Sequence, residues 1–350
     1  MDHTAPFGLP LARRFAGDVV RLRLGLPVAP LVFADFVTFR CNLSCSYCGY
    51  ARRGYARRYP ELGTADALRV LEAGRRAAPS LAVSGGEPVV RDDIVVLLRH
   101  ARSLGFRPIT LFTNGLELPR REGVLDCVDF LQVSLDTLDE VVQDRLAGRP
   151  GTCRTVQDVV RRYAQDQAAR GFRLHVNSVL GPDTLAGAPA LVEFAARHGV
   201  RLTVCPELDD HGQPVPGLLV PETRTRYRAA LDALIDDKQR RDVLLDTPHV
   251  LERLRALQPS ACHPDLVARV YPDGTVPLPC PPRAAAWPNL LEGESWRALR
   301  AGAEGCDRPC PRPCLVPGPL TASMLVSHPF ALLRERPRPG VRPCPTPASC

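Results

Sequence analysis

Three cysteines stand close together in the segment CNLSCSYC, where Cys41, Cys45 and Cys48 have the spacing C-x3-C-x2-C. A tight loop that presents three thiolates on one side can bind three irons of a cubane cluster and leave the fourth iron open to another ligand. Zinc is the alternative, but structural zinc sites use four protein ligands, and no fourth cysteine or histidine follows nearby. The spacing therefore favours a [4Fe–4S] cluster with one open iron.

Five cysteines beyond residue 260 form a second group of candidate metal ligands. Cys262 and Cys280 flank the dipeptide Asp273-Gly274, which predicts the turn of a β-hairpin with the two thiols at its base. The other three, spaced C-x3-C-x3-C in a Pro-rich stretch, are Cys306, Cys310 and Cys314. Together these residues can supply the four thiolates of a second iron–sulfur cluster or of a structural zinc site.

The pattern of apolar residues predicts the elements that position the first cysteine group. Short β-type runs alternate with helical patterns six times before residue 206, which is typical of a parallel sheet, either open or curled into a barrel. The predicted strands are residues 31–39, 81–84, 109–113, 130–136, 174–180 and 201–208. The predicted helices are residues 64–78, 92–103, 138–146, 153–169, 185–198, 222–241 and 248–256.

Polar and glycine-rich segments follow the first four predicted strands. The cysteine loop follows the first strand, GGEP (85–88) the second and TNG (113–115) the third, and Ser134 and Asp136 end the fourth. Ligands of parallel α/β folds bind beyond the carboxyl ends of the strands. We therefore expect one active-site face at that edge, with the paired glycines allowing the backbone to approach a ligand closely.

Composition and charge set limits on location and partners. The chain is 45% apolar with a net charge of +7, and 44 of its 45 basic residues are arginines scattered in pairs, so nucleic acid is an unlikely partner. The arginines between residues 52 and 58 can still help to bind an anionic substrate or partner. No signal peptide is recognisable and no apolar run reaches the ~18 residues of a membrane span. We predict a cytoplasmic protein with reduced cysteines.

The sequence changes in character after residue 206 and suggests five segments. These are a leading helical segment (1–30), a core domain (31–211), a helical connection (212–258), a small Cys-rich extension of hairpin and helix (259–335) and a Pro-rich tail (336–350).

In its motifs the sequence resembles the radical S-adenosylmethionine (SAM) superfamily. The likeness covers most of residues 31–205 and rests on the three-cysteine loop, the GGEP segment and polar residues on strands four and five. The resemblance implies a partial (β/α)6, TIM-like barrel and SAM as cofactor. It assigns SAM binding to Tyr47, Gly85, Gly86, Glu87, Pro88, Ser134, Asp136 and Asn177.

The resemblance also implies a reaction. SAM would chelate the open iron of the cluster, and the reduced cluster would cleave it to a 5′-deoxyadenosyl radical that abstracts a substrate hydrogen. Tyr47 would lie near the adenine, and Glu87 would recognise the SAM ammonium directly or order the loop. Ser134, Asp136 and Asn177 would bind the ribose or the methionine carboxylate. An electron donor such as a flavodoxin or a ferredoxin is implied as a partner.

The C-terminal cysteines resemble the SPASM and twitch extensions, which hold auxiliary clusters. Their spacing departs from the full SPASM pattern, so one auxiliary [4Fe–4S] cluster is the expectation. Superfamily members with such clusters often modify peptides, which makes a peptide or protein the first expected substrate and a small molecule or nucleotide the second. A non-catalytic iron–sulfur or zinc-binding protein is the alternative of a different class, against which GGEP argues, since such a protein needs no SAM pocket.

Overall fold

A single parallel sheet of seven strands organises the protein, in the order β6-β5-β4-β3-β2-β1-β7. The computed structural model describes residues 28–258, 266–278, 280 and 287–293, with scattered positions among residues 17–26 and 296–299. The strands are β1 (Val32–Thr38), β2 (Ser80–Gly85), β3 (Ile109–Thr113), β4 (Phe130–Ser134), β5 (Arg173–Leu180), β6 (Arg201–Pro206) and β7 (Val267–Val270). The parallel α/β architecture expected from the alternating pattern is confirmed.

The 3-10 turns Leu118–Arg120 and Glu122–Val124 join β3 to β4, and α-helices lie in the connections between the other successive strands. The α-helices are α1 (Gly49–Arg52), α2 (Tyr55–Arg58), α3 (Thr64–Ala77), α4 (Ile94–Ser103), α5 (Glu140–Ala147), α6 (Thr152–Arg170), α7 (Ala188–Arg197), α8 (Pro216–Leu219), α9 (Pro221–Arg241) and α10 (Pro248–Ala256). The helices predicted from periodicity agree with these bounds to within three residues at either end. Within the described residues, none of the helices combines the length and the apolar character that a bilayer-spanning segment requires.

The two faces of the sheet differ in burial, and the difference locates the site. On β4, Leu131 and Val133 are fully buried, whereas Gln132 is half-buried and Ser134 is exposed. Helices cover the buried face: a Cβ atom placed on Gly74 of α3 would lie 2.3 Å from the ring of Phe33 on β1. The opposite, inner face is therefore the one that can receive ligands.

The structure differs from the sequence prediction at the C-terminal hairpin. The turn at Asp273-Gly274 is present, with Gly274 at φ 84°. Its first arm, however, is β7, which pairs in parallel with β1, and Thr275 after the turn bridges to Asn289. Joining the sheet buries Ala268 of β7 completely and pairs an edge of β1 that a separate hairpin would leave open. A segment assigned to the C-terminal extension thus forms part of the main sheet.

Asp35 is a buried carboxyl group within this framework. It lies on the helix-covered face of β1, is 5% exposed, and has the guanidinium of Arg91 as its charged neighbour. Arg91 itself donates to the Val37 carbonyl at 2.8 Å and pairs with Asp93 at 2.7 Å. Burial raises the pKa of Asp35 from 3.8 to about 7, although Arg91 opposes the shift.

We expect Asp35→Asn to change how stability depends on pH. Because the pKa of Asp35 is higher in the folded state, its contribution to stability is full below pH 4 and is lost as the pH rises through 7. Each pKa unit corresponds to roughly 1.4 kcal/mol, so the variant should gain a few kcal/mol relative to wild type between pH 4 and pH 8. Denaturant unfolding of both proteins across this range measures the difference.

Asp158→Asn provides the control, because its side chain is 66% exposed. Its unfolding free energy should run parallel to that of wild type over the same pH range. A stability difference between Asp35→Asn and wild type that stays constant from pH 4 to pH 8 would contradict the prediction.

Candidate functional site

The loop that carries Cys41, Cys45 and Cys48 follows β1 and is anchored on α5. The backbone N–H of Ser44 donates to the Ala147 carbonyl at 3.1 Å, and that of Ser46 donates to the Leu146 carbonyl at 2.9 Å. Both carbonyls belong to the last turn of α5, where the helix itself supplies no N–H group to hydrogen-bond to them. Cys41 is exposed, and the other two cysteines are half-buried. The three thiols are therefore held at the surface of the inner face and accessible to a ligand.

The electrostatics of these thiols fit a cationic metal cluster. Burial raises the pKa of Cys41 to about 11 and that of Cys45 to about 12; the charges of Glu87 and Cys48 add to the shift of Cys41, and those of Cys41, Asp136 and Cys48 add to the shift of Cys45. Three thiolates can be held together here only by positive charge, which bound iron supplies. Donors are already in place, since the backbone N–H of Leu43 lies 3.4 Å from the Cys41 sulfur.

No group of three or more His, Cys, Asp or Glu side chains converges on a single ion within the described part of the chain. Each cysteine of a cubane site binds a different iron, so its thiols need no such point of convergence. The donor set and its spacing thus fit an iron–sulfur cluster.

Gly85 and Gly86 bring the end of β2 against the start of the cysteine loop. A Cβ atom on Gly85 would lie 2.0 Å from the Thr38 carbonyl oxygen, and one on Gly86 would lie 2.3 Å from that of Arg40. The Gly86 and Glu87 N–H groups donate to these same two carbonyls, each at 2.8 Å. In the sequence the paired glycines predict the close approach of a ligand, whereas in the structure they approach the backbone of the chain itself.

Glu87 is completely buried and joins three segments of the site. Its carboxylate accepts hydrogen bonds from Val89 N at 3.0 Å, Thr113 Oγ1 at 2.8 Å and Asn114 N at 2.5 Å. Burial raises the pKa of Glu87 to about 7, against the effect of these donors. The contacts correspond to loop ordering, one of the two roles expected for this residue. Pro88, also buried, begins the 3-10 turn Pro88–Val90.

Asn114 links the Glu87 contacts to the cysteine loop. Its side-chain amide donates to Asn42 Oδ1 at 2.7 Å and lies 3.9 Å from the Cys41 sulfur. Asn114 therefore connects two parts of the site: its backbone N–H is bound by Glu87, and its side chain reaches Cys41.

Tyr47 and Asp136 bind each other. The Tyr47 hydroxyl donates to Asp136 Oδ2 at 2.6 Å, while Oδ1 accepts from Val179 N at 2.8 Å. Asp136 is 1% exposed, and burial raises its pKa although Tyr47 opposes the shift. The pair connects the cysteine loop to the ends of β4 and β5. The Tyr47 hydroxyl and both Asp136 oxygens therefore already have hydrogen-bond partners within the protein.

A polar row crosses the inner face from the end of β4 to the middle of β5 and β6. Ser134, Asn177 and Thr203 are neighbours in the strand register. Ser134 is exposed and Asn177 is half-buried, with its Oδ1 accepting from Thr203 Oγ1 at 2.9 Å. Sequence reasoning missed Thr203, for which the register across β5 is the only signal. It also missed Gln143 of α5, whose Oε1 accepts from the Asp136 N–H at 2.9 Å.

Tyr47→Phe should destabilise the protein measurably. The substitution removes a donor from a buried carboxylate, which costs about 2 kcal/mol for a hydrogen bond to a charged group. Tyr50→Phe also removes a tyrosine hydroxyl, two residues after Cys48. That hydroxyl makes no hydrogen bond within the described residues, so this variant should be close to neutral in stability. Denaturant unfolding compares the two variants. Equal stability losses would show that the Tyr47–Asp136 bond contributes little.

Most of the C-terminal cysteines proposed as metal ligands lie outside the described residues. These are Cys262, Cys306, Cys310 and Cys314. Cys280 is described and is half-buried. The second group of ligands therefore stays a prediction.

Comparisons with known proteins identify the core. Residues 36–195 match the family model described as the radical SAM superfamily. A PqqA peptide cyclase of Ruegeria pomeroyi is 32% identical over 263 residues, which cover 72% of this chain and 68% of the relative. A GTP 3′,8-cyclase of Erythrobacter litoralis is 32% identical over 222 residues, 61% of this chain and 63% of that relative, so the chain spans less than two thirds of its length.

Solved structures share the fold. Streptococcus suis SuiB, solved bound to S-adenosylmethionine, superposes with a TM-score of 0.58 at 15% identity and covers 85% of this chain and 71% of its own. The protein anSMEcpe with bound AdoMet superposes with a TM-score of 0.60 at 16% identity, covering 87% and 97%. Both proteins have also been solved with peptides, SuiA and Kp18Cys respectively. At these identities the likeness establishes the barrel-like α/β fold.

Proposed function

Because the chain belongs to the radical SAM superfamily of enzymes, we propose that it modifies a peptide or protein by radical chemistry. The observation that carries the chemistry is the loop of Cys41, Cys45 and Cys48, whose backbone is anchored on α5 and lies beside the GGEP segment. The family implies a [4Fe–4S] cluster and SAM. When bound, the cluster supplies the electron that cleaves SAM reductively and releases the 5′-deoxyadenosyl radical, which takes a hydrogen atom from the substrate.

The residues of the site divide into two groups by their contacts. Glu87 and Asp136 have their carboxylate oxygens occupied by protein donors, and we propose that they position the loops around SAM. Ser134 and Asn177 present polar atoms on the accessible inner face, and we propose that they contact the ribose or the carboxylate of SAM. We propose that Tyr47 lies beside the adenine, oriented by its bond to Asp136. Backbone atoms of Gly85, Gly86 and Pro88 would line the same SAM site.

A peptide substrate is favoured by the extent of the match to the PqqA peptide cyclase, which covers 72% of this chain. The GTP 3′,8-cyclase supports a second candidate, radical chemistry on a nucleotide, through an equal identity over a shorter stretch. Both candidates use the same cluster and the same SAM site, so they differ only in the group that lies beyond the ends of the strands.

We also propose one auxiliary [4Fe–4S] cluster, held by four of the five cysteines Cys262, Cys280, Cys306, Cys310 and Cys314. It would lie in a C-terminal module of about residues 259–335, beyond the core of residues 31–211. We place the enzyme in the cytoplasm, where its cysteines stay reduced.

Anaerobic SAM cleavage tests the proposal. The protein is purified without oxygen, reconstituted with iron and sulfide, reduced with dithionite, and assayed for 5′-deoxyadenosine. We expect cleavage by the core cluster, and an iron content above four per chain if the auxiliary cluster is present. Adding GTP discriminates the candidates: stimulation of cleavage together with consumption of GTP would favour the nucleotide reaction. A protein that is replete in iron but does not cleave SAM would overturn the proposed function.

A further inference from the structure

Four exposed arginines lie immediately beyond the cysteine loop. Arg52 ends α1, Arg53 follows it, and Arg57 and Arg58 end α2. All four are exposed. We refer to these residues as the arginine patch.

The arginine patch carries a large excess of positive charge. Arg52 and Arg53 share one carboxylate, that of Asp210 in the loop after β6, at 3.0 and 2.8 Å. Arg57 and Arg58 form no ion pair among the described residues; Arg58 only lies over the ring of Tyr59, at 5.3 Å. Among the described residues, one carboxylate is thus in ion-pair contact with the four cations, which leaves an excess of positive charge at this surface.

The patch is connected to the cysteine loop. The Arg52 guanidinium donates to the Ser46 carbonyl at 3.0 Å, between the second and third cysteines. Asp210 approaches the same loop closely enough that a Cβ atom on Gly49 would lie within 2.4 Å of its Oδ1. The charged surface and the loop therefore form one unit, and a molecule that contacts the patch lies next to the loop.

An aromatic layer lies beneath Arg57 and Arg58. Tyr55 and Tyr59, on the buried side of α2, pack against Phe39 with ring centroids 5.2 and 5.9 Å away. Tyr271 and Phe36 extend this aromatic layer, at 5.2 and 5.8 Å from Phe39. Arg57 and Arg58 are exposed, so they lie on the outer side of this aromatic layer.

We propose that the arginine patch is the docking surface for a small, acidic one-electron carrier, a flavodoxin or a ferredoxin, that reduces the cluster. The inference rests on the proposed function and adds the partner's binding site. The carrier loses one electron and the cluster gains it, and no bond is made or broken at the surface. An anionic substrate fits the geometry less well, because Arg57 and Arg58 lie on the exposed side of α2, away from the aromatic rings that pack toward the sheet.

Electrostatic docking of this kind has a defined signature. Complementary charges raise association rates by roughly 10- to 1,000-fold at low ionic strength, and the effect falls as salt screens the charges. The Debye length is about 8 Å at physiological ionic strength, so exposed charges that are farther apart than this interact weakly. Carrier-driven reduction should therefore slow with added salt, and chemical reduction by dithionite should not.

The test compares two double variants with equal loss of charge. Arg57→Gln with Arg58→Gln removes half of the patch without touching the Arg52 contact to the loop. Arg226→Gln with Arg228→Gln removes two exposed arginines from α9, which likewise form no ion pair among the described residues. Each reconstituted protein is assayed for SAM cleavage with a reduced flavodoxin of net negative charge and, separately, with dithionite. The affinity for the same flavodoxin is measured directly by calorimetry.

We expect the patch variant to bind flavodoxin about tenfold more weakly at low salt and to lose carrier-driven cleavage to the same extent. Its dithionite-driven cleavage and the behaviour of the α9 variant should match wild type. Unchanged flavodoxin binding in the patch variant overturns the proposal. An equal loss of cleavage with dithionite also overturns it, since the patch would then act on the cluster or SAM site itself rather than on the carrier. If wild type fails to cleave SAM even with dithionite, the proposed function fails, while the binding measurement still decides the docking site.

Discussion

Alanine at Cys41, Cys45 or Cys48 is expected to reduce SAM cleavage to the background of the assay. Each thiolate binds a different iron of the cluster, so the loss of one leaves only two protein ligands and an unstable site. We expect iron and sulfide contents to fall by about four atoms each per chain after reconstitution. The fold should survive, because the loop is held on α5 by the backbone of Ser44 and Ser46 rather than by the thiols.

Cys127→Ala is the matched control. Cys127 is buried away from the loop, with its thiol 3.5 Å from the Gly123 carbonyl. This variant should keep both its iron and its activity. Circular dichroism distinguishes loss of the cluster from loss of the fold. Cleavage near the wild-type level by any of the three loop variants would exclude the assigned ligand set.

Gly85→Ala is expected to destabilise the protein by at least about 3 kcal/mol or to prevent folding. The added methyl group would lie 2.0 Å from the Thr38 carbonyl oxygen, and neither backbone segment can yield without breaking the β1–β2 pairing. The φ of 142° adds strain, because residues with a Cβ atom rarely adopt it. The expected effect includes the loss of SAM binding, since the displaced segment carries Glu87.

Gly63→Ala tests whether the effect is specific. Gly63 precedes α3 at φ −63°, and a Cβ atom there meets nothing within 4 Å. This change should be close to neutral, because the lower entropy of the unfolded chain with alanine offsets the weaker preference of alanine for the N-cap position. Thermal unfolding of both variants gives the comparison. A melting temperature for Gly85→Ala equal to that of Gly63→Ala would contradict the contact on which the prediction rests.

Most of the fold could be predicted from the sequence because its signals are local. The apolar runs of β1 and β3 and the periodicity of α3 and α6 each lie within one short segment. The positions of the candidate site were also predictable in outline. The cysteine loop, GGEP and TNG each follow a strand, and parallel strands place their carboxyl ends at one edge. The contact of Asn114 with Asn42 and Cys41 shows that these segments do meet.

Partners distant in the sequence could not be predicted in the same way. Tyr47 and Asp136 are 89 positions apart, and Glu87 reaches Asn114 across 27. Nothing in the local pattern of either segment indicates which of several polar residues will be buried against the other. The two glycines illustrate the point, because their type signals a close approach but not what they approach.

The sequence by itself determined the order of strands and helices along the chain, the cysteine spacing and the edge of the sheet at which the polar and glycine-rich segments meet. Only the tertiary structure decided that β7 completes the sheet beside β1, that Glu87 and Asp136 are occupied by protein donors, and that the arginine patch lies beyond an aromatic layer. The physical reason is that secondary structure follows from periodic burial along one segment. Hydrogen bonding and exposure, in contrast, depend on which segments the packed core brings together.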